Sequence, residues 1–112
     1  VDRRRDRRVT TDLSAAVFLR GSTRYVPSVL KNLSMSGAYL ASQVPVGPGE
    51  HLVLSIRPPG SSAPMVAQAR VVRIHGGGRQ PQSGLGVVFT AMSRESYDVL
   101  ANYWRQTRRA GV

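Results

Sequence analysis

The strongest constraint in this sequence is a period-two apolar pattern cut into short runs. Between positions 51 and 57, Leu52, Leu54 and Ile56 alternate with Val53, Ser55 and Arg57. Leu85, Val87 and Phe89 alternate in the same way further on. Successive side chains of a strand point to opposite faces, so such runs line one buried face of a sheet. Further strands are predicted at Ala15–Arg20, Tyr25–Leu33, Gly37–Ala41 and Met65–His75. In the last of these the apolar set changes parity, from Ala67, Ala69 and Val71 to Val72 and Ile74, which predicts a bulge near 71–72. Pro27 removes a ladder donor and marks an edge or a bulge. Turn-rich stretches separate the runs: Pro45 to Gly49, PPGSSAP at 58–64 and GGGRQPQSG at 76–84. Six short strands with turns between them predict a mainly β fold, a small antiparallel barrel.

A helix follows. Ser93 is suited to its N-cap and Glu95 to its first turn, and Tyr97, Leu100, Ala101, Trp104 and Arg108 keep helical spacing. It should run over about 94–109 and end in the cations Arg105, Arg108 and Arg109, where the helix dipole favours them. The 112 residues make one domain. It divides into an arginine-rich arm at 1–12, a barrel at 13–91, and a helix with its tail at 92–112.

Several functions are excluded early. With no cysteine there is no disulfide, iron–sulfur cluster or thiolate zinc site. His51 and His75, the two histidines, sit at strand ends and read as surface residues, so no metal site is expected. No P-loop, zinc-protease helix or serine-hydrolase elbow is present. Ser28 and Lys31 match SxxK, but a strand turns them to opposite faces, so no catalytic residue is assigned and the chain is read as a non-enzyme. No apolar run is long enough to span a membrane, and no signal peptide is visible, which fits a cytoplasmic protein.

The net charge is +10, from 16 basic and 6 acidic residues, and its placement is uneven. Residues 1–8 read VDRRRDRR and hold almost nothing that could pack a core, so they should form an arm that orders only against something else. The arm contains arginines four apart, Arg4 and Arg8, with a second such pair at Arg3 and Arg7. Guanidinium forks pair with phosphate oxygens or with O6 and N7 of guanine, and stack on base faces. After the second strand comes Asn32-Leu33-Ser34-Met35-Ser36-Gly37, an NxSxxG turn. Asn32 and Ser34 both donate and accept, and an extended backbone would point them the same way. Gly37 would permit a positive φ and a close approach of backbone to ligand.

Together, DRRRDRRV and KNLSMSGAYL resemble the PilZ domain, whose pattern is RxxxR followed by (D/N)xSxxG. The likeness covers nearly the whole chain, including Gly84 to Phe89 ahead of the helix. It implies a six-stranded barrel with a helix that binds the bacterial second messenger cyclic di-GMP. Matched residue by residue, Arg4 and Arg8 take the arginine positions, a register favoured by Val9 after Arg8, and Asn32, Ser34 and Gly37 take the turn positions. Arg3 resembles the residue found in members that bind a stacked pair of ligand molecules. The expected ligand is therefore cyclic di-GMP, with no other cofactor. The expected output passes to a partner protein or an attached domain. Two alternatives are a protein-interaction module indifferent to nucleotide and a general single-strand nucleic-acid binder. The second is disfavoured, because such barrels use aromatic platforms and this chain has seven aromatics, several at core positions.

Overall fold

The computed structural model describes residues 8–42, 44–76 and 83–110, with side chains through 107. Six strands form: β1 (Val9–Leu19), β2 (Tyr25–Leu33), β3 (Gly37–Ala41), β4 (His51–Ile56), β5 (Met65–His75) and β6 (Gly84–Met92). One helix follows, α1 (Arg94–Ala110). The strands close into a barrel in the order β1-β2-β3-β6-β5-β4, every pair antiparallel. The alternating residues do what their period requires. Leu52, Leu54 and Ile56 of β4, Ala67, Ala69 and Val71 of β5, and Leu85 and Val87 of β6 all face the buried interior. Val17, Leu30 and Leu40 complete its centre.

The bulge expected at 71–72 is present as a register shift between Val71 and Arg73. Pro27 sits where β2 pairs with β1 alone, since the pairing with β3 begins only at Val29. Ser28 is buried and donates to the Ser42 hydroxyl at 2.8 Å, while Lys31 is exposed, so the SxxK pair does face opposite ways.

Two expectations about the secondary-structure elements differ from the structure. The barrel begins at Val9, not at residue 13: Val9 and Thr11 are both buried in β1. The alternation is masked there by a register shift between Thr10 and Leu13 and by a polar residue facing inward. Thr11 can be buried because its hydroxyl donates to the Leu30 carbonyl at 2.6 Å. In α1, Tyr97 was expected in the apolar stripe but is 40% exposed. The buried stripe is instead Ser96, Leu100 and Trp104, four residues apart. Ser96 is polar because its hydroxyl accepts the Val66 N–H at 3.1 Å, fastening α1 to β5. Ser93 caps the helix as expected, its hydroxyl accepting the Ser96 N–H at 3.0 Å. The expected loop at 76–84 lies largely outside the described residues, as do the side chains of Arg108 and Arg109.

Candidate functional site

β1 and β2 meet where the arm joins the barrel, and their pairing there is Val9 with Leu33 and Thr10 with Asn32. Arg8 stands one residue before this ladder, exposed to solvent. Its guanidinium donates to Asn32 Oδ1 at 2.7 Å. The structure thus brings together one residue from each motif, 24 positions apart in sequence. The remaining donors of the fork, and the Asn32 amide nitrogen, engage no described residue. Arg3 and Arg4 lie outside the described residues.

The turn after β2 is built differently from the expectation. Ser34 does not share the outward direction of Asn32: it is 1% exposed. The extended run ends at Leu33, and from there the hydroxyl of Ser34 closes its own turn. That hydroxyl accepts the N–H groups of Gly37 at 3.2 Å and of Ser36 at 3.3 Å. The Ser34 N–H donates to the Gly37 carbonyl at 2.9 Å, and the Phe89 N–H donates to the Ser36 carbonyl at 2.8 Å. The turn is thereby pinned to β6.

Gly37 does not use a positive φ; among the described residues the glycines that do are Gly21, Gly49, Gly60 and Gly76. Its constraint is proximity. A Cβ at Gly37 would fall on the Val87 carbonyl oxygen, with Val88 Cα at 3.3 Å. The glycine lets β3 lie against β6, and so fixes where the turn ends.

Local charges leave Arg8 without a carboxylate partner among the described residues. Asp12 pairs with Lys31 at 3.1 Å, Asp98 with Arg94 at 3.3 Å, and Glu50 accepts the Gly47 N–H at 2.8 Å. No cluster of three metal-ligating side chains occurs among the described residues. No helix among them is long and apolar enough to cross a membrane. An open groove of about 640 Å³ lies between the 58–63 loop and α1, and neither Arg8 nor Asn32 lines it. Residues that the motifs miss also share the level of Asn32: Tyr39 pairs with it, and Gly86 pairs with Tyr39. No local pattern marks them, since cross-strand rows are set by register.

Fold and site together define a small closed β-barrel with a polar turn and a basic chain entry at one place on its wall. The chain belongs to the PilZ family: the PilZ domain model matches residues 2–106. PilZ domains are known as ligand-binding receptors rather than enzymes. No curated protein matches the sequence significantly.

Several solved structures share the fold. One is the inhibitor of motility MotI/DgrA of Bacillus subtilis, at 18% identity and a TM-score of 0.76, covering 92% of this chain and 50% of that one. This chain therefore spans about half the length of that protein. A second is the PilZ domain of CeSA from a cellulose-synthesizing bacterium, at 17% identity and 0.66, covering 95% and 99%. A third is the PilZ domain of YcgR from Escherichia coli, solved with c-di-GMP, at 11% identity and 0.64, covering 94% of each chain.

Proposed function

We propose that this chain is a cyclic di-GMP receptor domain whose arginine-rich arm closes over the ligand and passes the signal to a partner or an attached domain. The observation that carries the reading is the Arg8–Asn32 bond, which joins the two family motifs at the barrel wall. Two structural neighbours point to the same ligand: YcgR was solved with c-di-GMP, and so was PlzA of Borreliella burgdorferi.

The chemistry is an exchange of acceptors. Asn32 Oδ1 accepts one N–H of the Arg8 fork. Guanine offers O6 and N7 to the same fork, and phosphate offers paired oxygens. Once Arg8 turns to the ligand, the Asn32 amide is released to meet the base edge or the sugar-phosphate. Arg4 and Arg3, on the same arm, supply further cations. Ser34 and Gly37 act by building the turn that holds Asn32 level with Arg8. Ordering the arm costs about 1–2 kcal/mol per residue, which the charge-assisted contacts must exceed. The ordered arm then presents a new surface to the next protein or domain.

Calorimetric titration with cyclic di-GMP tests this. The unmodified chain should bind at micromolar concentration or tighter. Arg8→Ala should weaken binding about ten- to hundredfold, the worth of roughly 1.5–3 kcal/mol for a hydrogen bond to a charged group. The same variant, without ligand, should melt within a few degrees of the unmodified protein, because it loses one exposed hydrogen bond. Absence of heat or shift at high ligand concentration would refute the reading.

A further inference from the structure

Two arginines on the barrel wall stand outside both motifs. Arg70 and Arg73 are exposed residues of β5, three positions apart. Strict alternation would turn one of them inward. The register shift between Val71 and Arg73 inserts an extra residue, the exposed Val72, and brings Arg73 back to the outer face.

The register fixes their level. Arg73 pairs with Gly86, Gly86 with Tyr39, and Tyr39 with Asn32. Arg70 pairs with Val88, and Val88 with Gly37. These are adjacent cross-strand rows on the outer face, one reaching Asn32 and the other the turn glycine. Three strand spacings of about 4.8 Å put the Arg73 backbone roughly 14 Å from that of Asn32. The ground between them is low. Gly86 carries no side chain, and the Tyr39 ring lies against Gly84 on the same strand. Neither arginine has a hydrogen bond or ion pair among the described residues. Both rows lack a carboxylate. Unpaired cations on adjacent rows, beside a low floor, form a surface that an anion stabilises.

We propose that Arg73, with Arg70 beside it, is a second arginine pair that contacts the same cyclic dinucleotide from the barrel side, across from Arg8 and Asn32. This rests on the cyclic di-GMP reading. A ligand with two phosphates and two guanines offers fork-matching acceptors at both of its ends, more than Arg8 alone can meet. Arg8 and Asn32 take one half, and the β5 pair takes the other across Gly86, with the Tyr39 ring as a flank for base stacking.

The test is calorimetric titration of cyclic di-GMP into the full chain and four variants: Arg73→Ala, Arg73→Lys, Arg8→Ala and Arg24→Ala. Arg24 is an exposed cation in the β1–β2 hairpin, at the far end of those strands from Asn32. Arg73→Ala should weaken binding tenfold or more, and Arg73→Lys should recover part of the loss. Arg24→Ala should stay within twofold, and the ligand-free melting midpoint of each position-73 variant should be unchanged. Arg73→Ala binding like the unmodified chain, while Arg8→Ala fails, overturns this inference and leaves the receptor reading standing. Equal losses in Arg73→Ala and Arg24→Ala overturn it in favour of diffuse charge. No binding by the unmodified chain overturns both.

Discussion

Gly37 separates two accounts of the same motif residue. If it serves ligand approach, Gly37→Ala leaves the apo protein intact and abolishes binding. The geometry says otherwise. An alanine methyl would fall on the Val87 carbonyl oxygen, with Val88 Cα at 3.3 Å. Both belong to β6 backbone inside a closed ladder, where Gly37 pairs with Val88. A backbone carbonyl cannot rotate away as a flexible side-chain end can. Since φ is ordinary at Gly37, no conformational penalty is added and the cost is overpacking alone. Overpacking costs about 1–3 kcal/mol. For a domain of this size, each kcal/mol lowers the melting midpoint by about 4 °C, so the expected loss is roughly 4–12 °C. Circular dichroism melts and urea titrations of ligand-free protein measure it. The urea midpoint should fall with the slope unchanged, because the surface exposed on unfolding stays the same. An unchanged apo melting midpoint would refute the close-approach argument, and would return Gly37 to a role at the ligand.

Ser34→Ala should destabilise the apo protein by about 1–3 kcal/mol, because the Ser36 and Gly37 N–H groups lose their acceptor in a buried turn; a urea titration checks it. Lys31→Ala should stay within about 1 kcal/mol of the unmodified protein in the same titration. Its partner Asp12 is exposed and the pair is screened by water.

Much of the barrel is legible in the sequence, for a physical reason. Where one face is buried and the other wet, the burial writes itself into the residues two by two. β2, β3 and β5 occupy the spans predicted for them, and even the parity change at Val71–Val72 marks a true bulge. Legibility fails where a buried position is polar. Thr11 and Ser96 sit inside because each hydroxyl meets a backbone group of a distant strand, Leu30 in one case and Val66 in the other. A reading by hydrophobicity passes over both.

The motif residues show the same divide. Asn32 and Arg8 could be matched as types, and the structure places them in contact. Strand parity carried two residues past Asn32 points Ser34 outward, but that is one step beyond the end of β2 at Leu33. The reason for a glycine at 37 lies on β6, about fifty residues further along, and no local pattern can reveal it. The level of Arg73 with Asn32 depends on three successive registers and is likewise invisible in the linear chain.

β1 closes the ring, since it pairs with β2 on one side and with β4 on the other. During folding its two seams come at different times. The β1–β2 hairpin can form as soon as Leu33 is available. The other seam joins Ala15 to Ile56 and waits for two more strands and the turns between them. The widest closure lies elsewhere, where Gly37 of β3 meets Val88 of β6, so loop-closure entropy falls hardest there and β1 is held by shorter closures. Arg8 leads directly into that strand. A ligand that grips Arg8 steadies the end of β1 where Val9 pairs with Leu33, and saturating ligand should slow global unfolding as well as raise the midpoint.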